Sequence, residues 1–138
     1  MPNTPTPILG LTVPTVGGDN GSWGTELNLD LATLDFLGAI SIVNTAINYA
    51  AVVGVCPETL VRVTTGAGTI TVTLPAPSAS NAGRIWTVKK VDSGAGSISI
   101  VASGGALIDG QVSFTRTMQY GFVRLGSNGV TYDVLAYS

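Results

Sequence analysis

Four carboxylates in residues 58–138 could in principle cooperate in a reaction. They are Glu58, Asp92, Asp109 and Asp133. A pair of carboxylates on either side of a glycosidic bond can supply the acid and the base or nucleophile of glycoside cleavage. An extended polysaccharide groove, however, requires a long solenoid, and this sequence shows no solenoid repeat. We therefore expect the chain not to be an enzyme.

Other catalytic chemistries lack their residue types. The chain contains no histidine, which excludes Ser-His-Asp triads and histidine-ligated metals. No glycine-rich loop followed by a lysine joins a strand to a helix, and six basic residues form no dense patch for nucleic acid. No apolar run reaches the ~20 residues of a membrane helix. The sequence predicts no cofactor, no metal site, no nucleic-acid partner and no membrane partner.

Sugar recognition is a second chemistry that the residue types allow. Tyr132 and Tyr137 are five residues apart on a predicted strand, so they lie on opposite faces and at least one should point outward. Asp109 precedes Gly110 and is most simply a turn residue whose carboxylate bonds nearby amides. Tyr132, Tyr137 and Asp109 are the possible glycan contacts. The remaining aromatic side chains of the β-region are expected in the core, because large rings favour burial.

One cluster of charges lies between two predicted strands. Lys89 and Lys90 are consecutive in a strand pattern, so their side chains point to opposite faces, and Asp92 follows. We expect ordinary surface charge here and an exposed ion pair of little energetic weight.

The elements that must position these residues are strands. In Gly68–Pro75 the apolar Ile70, Val72 and Leu74 alternate with threonines, which gives one oily face and one polar, uncharged face. Similar runs recur to the end of the chain, separated by glycine-rich turn signals at short intervals. The predicted strands are Thr59–Thr64, Thr69–Leu74, Arg84–Val91, Ser97–Val101, Ala106–Ile108, Val112–Arg116, Tyr120–Leu125 and Thr131–Tyr137. Short links between many short strands favour an antiparallel β-sandwich or barrel over residues 58–138.

The first 22 residues have a different character. Four prolines favour an extended conformation, yet the segment is more apolar than a free linker. We interpret it as an arm that docks on another protein surface, rather than as a flexible tail. Trp23, flanked by glycine-containing sequence, either joins that interface or fills the space between the arm and the next element. The predicted anchor residues are Ile8, Leu9, Leu11, Val13 and Trp23.

A short helix is predicted from Ser22 to Leu37. Leu27, Leu31 and Leu34 are spaced four and three residues apart, as in a coiled-coil seam two turns long, and could meet their copies in an oligomer. Residues 38–57 are expected to be a connector. Within it, residues 39–48 could be a strand or a continued helix, whereas residues 49–56 favour a strand.

The composition favours self-association. Of the 138 residues, 45% are apolar and only 10% are charged, with a formal net charge of −2. Soluble domains average ~25% charged residues, which keep surfaces hydrated and block unwanted edge pairing. We expect copies of the same chain to cover much of the surface. The alternative is a monomer coated with serine and threonine.

Two segments resemble virion proteins of bacteriophages. Thr69–Ser138 resembles a C-terminal β-module of tail-fibre and head-fibre proteins, with VTLP at a strand end, NAGR before an aromatic strand, KKVD, SISI, IDG and an aromatic final hairpin. Leu11–Leu37, with GGD, GSWG and a following LNLD helix, is similar to N-terminal segments of such proteins.

This resemblance implies a non-enzymatic virion protein, usually a homotrimer, with residues 1–37 as the anchor and residues 58–138 projecting. Only residues 38–57 separate the anchor from the β-module, whereas long receptor-reaching fibres carry shaft repeats there. The expectation is a short trimeric fibre or decoration protein that binds a capsid or tail protein. The alternative is a receptor-binding or glycan-binding fibre tip that contacts the host surface.

Overall fold

The computed structural model describes residues 39–138 and two short strands that precede them, β1 (Thr4–Pro5) and β2 (Thr12–Val13). These two strands form an antiparallel pair in which Thr4 lies opposite Val13. The chain divides into two units, Met1–Ala39 and Ile40–Ser138. The predicted helix over residues 22–37 lies outside the described residues.

The second unit consists of two sheets. A five-stranded sheet has the order β11-β10-β7-β5-β3, and a four-stranded sheet has the order β4-β6-β8-β9. The strands are β3 (Ile40–Thr45), β4 (Tyr49–Ala50), β5 (Glu58–Val63), β6 (Thr69–Leu74), β7 (Ile85–Lys90), β8 (Ser97–Ala102), β9 (Phe114–Arg116), β10 (Phe122–Ser127) and β11 (Tyr132–Tyr137). The unit is therefore mainly β, as the sequence predicts.

The strand directions correct the antiparallel prediction. Strands β3, β5 and β7 are mutually parallel in one sheet, and β4, β6 and β8 are mutually parallel in the other. Since consecutive strands alternate between the sheets, the chain from β3 to β8 winds through three coils of a parallel solenoid. The expectation that no solenoid is present is wrong for this segment. Alternation of side chains has the same period in parallel and antiparallel strands, so it carries no information about direction.

The last three strands are antiparallel to their neighbours. Strand β9 pairs with β8, and β10 pairs with both β7 and β11. The hairpin between β10 and β11 falls at the predicted Ser127–Gly129 loop, and a bulge lies between Arg124 and Leu125. The predicted strand over residues 106–108 is reduced to isolated bridges made by Ile108.

The two sheets enclose one apolar core, which makes the unit sandwich-like. Trp86 and Tyr132 are its largest members and meet edge to face, with ring centroids 5.6 Å apart and an interplanar angle of 77°. The core consists of Ala51, Val61, Val63, Val72, Leu74, Trp86, Val88, Ile98, Ile100, Ile108, Val123, Leu125 and Tyr132. All of them except Ala51 and Ile108 lie at alternate positions of strands, as the pattern of oily and polar faces requires.

The short links of successive coils stack on one another. The Thr64 amide donates to the Thr45 carbonyl at 2.9 Å, and the Gly96 amide donates to the Gly66 carbonyl at 2.9 Å. A Cβ at Gly94 or Gly96 would collide with the backbone of the link beneath it. The glycine-rich links that resemble hairpin turns in the sequence therefore connect strands of different sheets, and their glycines allow close stacking.

The predicted connector is part of this unit. Residues 40–57 contain β3, β4 and the link to β5, and they form the first of the three coils. Within this stretch, residues 40–45 are strand rather than continued helix.

Candidate functional site

The most elaborate polar cluster holds the stacked links together, and Lys90 is its centre. Lys90 ends β7, and its side chain is fully buried. Its Nζ donates to the carbonyl oxygens of Asp92 at 2.8 Å and Gly94 at 2.7 Å, and lies 3.3 Å from Asp92 Oδ1. The ammonium group thereby fixes the path of the link between β7 and β8.

The Asp92 carboxylate reaches across to the link between β5 and β6. It accepts hydrogen bonds from the amides of Thr65 at 3.0 Å and Gly66 at 2.8 Å, and from the Gly94 amide at 3.2 Å. The Thr65 amide, with the Gly66 amide and Lys90, holds the pKa of Asp92 well below its usual range, against a smaller opposing effect of desolvation. We call Lys90, Asp92 and the amides they bind the link clasp.

The link clasp corrects the expectation of a surface ion pair. Lys90 follows Trp86 and Val88 at intervals of two, so the alternation places it on the buried face. A lysine at a core position with an aspartate two residues later is a signal that the sequence carries. The role of the pair is structural, because Lys90 binds the β7–β8 link and Asp92 binds the β5–β6 link.

Glu58 lies in a second polar cluster, on the outer face of the five-stranded sheet. Its carboxylate pairs with Arg124 Nη2 at 2.9 Å and accepts from Thr87 Oγ1 at 2.7 Å. The hydrogen bond from Arg124 is the largest cause of a lowered pKa at Glu58, and desolvation opposes it. This cluster joins β5, β7 and β10 across three neighbouring strands.

The possible glycan contacts are not brought together. Tyr132 is fully buried, and its hydroxyl donates to the Pro75 carbonyl at 2.9 Å, so it is not available at the surface. Burial raises the pKa of Tyr132 to about 12. Tyr137 is 65% exposed but lies five residues along β11, about 17 Å away at the rise of a strand.

Asp109 lies beside Tyr132 rather than beside Tyr137. Its amide donates to the Tyr132 carbonyl at 2.9 Å, and its carboxylate accepts from the Val134 amide at 3.1 Å. Its φ of 46° lies in the left-handed region, which aspartate tolerates better than most residues. Asp109 therefore acts as a turn residue that ties the preceding loop to β11.

Each of the four carboxylates lies in a different local hydrogen-bond environment. Glu58 binds Arg124, Asp92 belongs to the link clasp, and Asp109 binds the β11 backbone. Asp133 accepts from Asn128 Nδ2 at 3.1 Å within the β10–β11 hairpin. Each carboxylate thus has a local structural partner.

An arginine closes the end of the sandwich between β9 and β11. The Arg116 guanidinium lies 4.4 Å from the Phe114 ring centroid and 4.5 Å from the Tyr137 ring centroid. The two rings themselves meet at 5.9 Å in an edge-to-face arrangement. This stacking covers apolar ring faces with a cation that is weakly hydrated.

Thirteen large hydrophobic residues are exposed among the described residues. Tyr120, expected in the core, is 60% exposed, with Lys89 Nζ 5.8 Å from its ring centroid. Within residues 39–138 the large exposed hydrophobic residues are Ile40, Ile42, Ile47, Val52, Val53, Val55, Leu107, Val112, Met118, Tyr120, Val130, Leu135 and Tyr137. Scattered apolar residues are normal on a protein surface, but several of these are neighbours in the first coil.

One of the predicted anchor residues lies in a described strand. Val13 lies in β2, opposite Thr4. The other anchor residues, Ile8, Leu9, Leu11 and Trp23, and the seam residues, Leu27, Leu31 and Leu34, lie outside the described residues.

Comparison with protein-family models finds no match, and comparison with curated protein sequences finds none either. Among the residues that the structure describes, no group of three or more Cys, Asp or Glu side chains is placed to hold a metal ion. The described part of the chain also contains no helix long and apolar enough to cross a membrane.

Proposed function

We propose that this chain is a structural protein of a bacteriophage virion: a short trimeric fibre or decoration protein. In this proposal residues 1–37 attach to a capsid or tail protein, and the β-unit projects from the particle. The role is non-enzymatic.

The observation that supports the proposal best is that many charged side chains of the β-unit, Ile40–Ser138, are paired or stacked rather than free. Lys90 and Asp92 bind each other, as do Glu58 and Arg124, while Arg116 is stacked between two rings. Meanwhile thirteen large hydrophobic residues are exposed among the described residues. A surface of this kind is suited to being covered by other protein, as happens in an assembled particle.

The arm would attach the chain to the particle by burying the arm's apolar side chains against a capsid or tail protein. At ~25 cal/mol per Å2 of apolar area, several large side chains per chain provide a substantial affinity. Repetition in three linked copies would raise the avidity further, because each later contact becomes intramolecular. The arm residues that would carry this attachment are Ile8, Leu9, Leu11, Val13 and Trp23.

Truncation tests the attachment. A variant without residues 1–23 should still form trimers but should no longer cosediment with particles that lack the native protein. The full chain, added to the same particles, is the control. Binding of the truncated variant at the full-chain level would refute the anchoring role of the arm. Electron cryomicroscopy of decorated particles would give the site and the number of copies around each axis.

A glycan-binding or receptor-binding tip is the second candidate, and two exposed tyrosines favour it. Tyr120 and Tyr137 are 60% and 65% exposed, and amphipathic rings of this kind can stack on sugars. Binding of the full chain to a glycan array or to host cells, abolished by Tyr120→Ala, would support this candidate. If the Tyr120→Ala variant lost glycan or cell binding but attached to particles as well as the wild-type chain does, the two functions would be separate.

A further inference from the structure

Two cations lie side by side on the outer face of the five-stranded sheet. Arg62 and Lys89 are register partners on the parallel strands β5 and β7. Both alternate with buried residues, so their side chains leave the same face of the sheet. Neighbouring strands are about 4.8 Å apart, and like charges at facing positions repel each other. The stability of the fold therefore gives no reason for this pair.

Neither cation contacts a carboxylate in the part of the chain that the structure describes, where both ion pairs use other residues. Arg62 Nη1 donates to the Asn44 side-chain oxygen at 3.3 Å, on the β3 side. Lys89 Nζ lies 5.8 Å from the Tyr120 ring centroid, on the β10 side. Since β3 and β10 flank β5 and β7 on opposite sides, each cation contacts a neutral group on the side away from the other. Both positive charges are thus uncompensated among the described residues.

A polar and an aromatic residue continue the pair at the same level of the sheet. Asn44 on β3 is the register partner of Arg62, and Phe122 on β10 is the register partner of Lys89. The resulting line crosses four neighbouring strands, from an amide through two cations to an aromatic ring. We call Asn44, Arg62, Lys89 and Phe122 the cationic row.

Tyr120 adds an exposed ring beside the cationic row. Its φ of 59° lies in the left-handed region, which is unfavourable for a bulky side chain. The ring is 60% exposed, so its burial does not offset this strain. Residues held in such conformations are concentrated at ligand-binding and active sites. The backbone of this turn therefore places an aromatic ring in solvent, next to an uncompensated cation.

An acidic saccharide has the chemistry that these groups recognise together. A carboxylate or phosphate group accepts hydrogen bonds from both arginine and lysine and neutralises their charges. The apolar face of a sugar ring packs against an exposed aromatic ring, as the tyrosine beside the row provides. Nucleic acid fits less well, because two cations supply few phosphate contacts and the chain has a net charge of −2.

Two carboxylates in the same region already have partners of their own. Glu58 precedes Arg62 on β5 by four residues, about 13 Å at the rise of a strand, and belongs to a separate ion pair. Asp92 is bound by Lys90 and by the amides of the link clasp. Neither carboxylate neutralises the cationic row.

We propose that the cationic row binds an acidic saccharide, with the anionic group between Arg62 and Lys89 and a sugar ring against Tyr120. The proposal rests on the second candidate function, glycan binding, and names the class of glycan. It does not depend on attachment to a particle.

Matched saccharides added to the full chain test the proposal. Oligogalacturonate and neutral oligogalactose of the same length and linkage differ in the carboxylate of each sugar. Inorganic phosphate tests whether a free anion is sufficient, and oligothymidylate tests nucleic acid. Isothermal titration calorimetry at low and high ionic strength gives each dissociation constant.

Three substitutions separate the row from general charge. Arg62→Gln and Lys89→Gln each remove one cation of the row. Arg84→Gln is the matched control, because it removes one cation just before β7, about 17 Å along the strand from Lys89. Near-ultraviolet circular dichroism reports whether each variant is folded.

The wild-type chain should bind oligogalacturonate roughly tenfold more tightly than oligogalactose, and this difference should shrink as ionic strength rises. Each substitution in the row should raise the dissociation constant for oligogalacturonate roughly threefold, and the two together roughly tenfold. The control should leave the constant within about twofold of the wild-type value.

Four results would overturn the proposal. They are equal binding of the acidic and neutral saccharides, unchanged binding by the folded double variant, binding of inorganic phosphate as tight as that of oligogalacturonate, and tighter binding of oligothymidylate. Neutral saccharides bound without preference for acidic ones would leave glycan binding itself intact. Failure of every saccharide to bind would refute the glycan-binding candidate as well, whereas particle attachment is measured independently.

Discussion

Replacement of the buried lysine in the link clasp gives a sharp test of the fold. Lys90→Met retains most of the side-chain length but removes the ammonium group. The carbonyls of Asp92 and Gly94 then lose donors at 2.8 and 2.7 Å, and the Asp92 carboxylate loses its cation. Lys89→Met is the matched control, because Lys89 is the preceding residue and its side chain lies on the opposite, outer face.

The expected loss of stability in Lys90→Met follows from the two hydrogen bonds that the ammonium group no longer donates. A hydrogen bond that involves a charged group contributes about 1.5–3 kcal/mol, and part of the loss is offset because methionine does not have to be desolvated. We expect Lys90→Met to lower the free energy of unfolding by about 2–4 kcal/mol. Lys89→Met removes a distant contact with the Tyr120 ring and should cost less than about 1 kcal/mol.

Urea unfolding followed by tryptophan fluorescence measures both variants, since Trp86 is buried in the core. The transition midpoint should fall clearly for Lys90→Met and hardly at all for Lys89→Met, with similar slopes. Equal midpoints for the two variants, or a loss below about 1 kcal/mol for Lys90→Met, would show that the ammonium group does not hold the links together.

Three further predictions concern the same unit. Because folding lowers the pKa of Asp92 from 3.8, its stabilising effect is present above pH ~4 and is lost as the pH falls further. Asp92→Asn removes this dependence, so the free energy of unfolding of the variant should fall less steeply than that of wild type as the pH is lowered below ~4, as urea unfolding at several pH values will report. Tyr132→Phe should lower the free energy of unfolding by about 0.5–1.5 kcal/mol, because the Pro75 carbonyl loses the hydrogen bond from the Tyr132 hydroxyl. Spectrophotometric titration of the variant should lack the phenol that ionises near pH 12 in wild type. Because folding raises this pKa from 10.0, the contribution of Tyr132 to stability is present below pH ~10 and is lost as the pH rises further. Gly96→Ala should lower the free energy of unfolding by about 1–3 kcal/mol or more, because the new Cβ would collide with the Gly68 backbone. Gly54→Ala is the control, because its Cβ would enter open space and should be tolerated. Thermal unfolding of the two variants measures the difference.

The strands could be predicted from the sequence because burial alternates in them. Thr69–Leu74 coincides with β6, and Arg84–Val91 differs from β7 by one residue at each end. Strand direction was not accessible, since the period of two is common to both directions. The links between coils were also ambiguous, because glycine-rich segments serve a hairpin and a stacked solenoid link equally well.

The site residues were harder to predict than the strands. Tyr132 and Tyr137 lie on one strand, as predicted, but the prediction that they lie on opposite faces is wrong. The bulge in the β10–β11 pair sets Tyr132 opposite Ser127 and Tyr137 opposite Val123, two positions of β10 that face the core. The role of Asp92 depends on the Thr65 amide, which is 27 residues earlier and reaches the carboxylate only when the coils stack. Contacts between residues so far apart leave no pattern in the neighbouring sequence. The core position of Lys90 does leave one, because Lys90 follows Trp86 and Val88 at intervals of two.

The asymmetry between the two ends of the solenoid has a consequence for how such a molecule can vary in length. Strands β9, β10 and β11 terminate the winding on one side, so material added there would have to break antiparallel pairing. Ahead of Ile40 no such barrier exists among the described strands, and an inserted coil would simply pair with β3 and β4 in the same direction. Duplication of a coil-length segment at this point would lengthen the solenoid and leave β9, β10 and β11 unchanged, so that a single kind of genetic event could alter the number of coils.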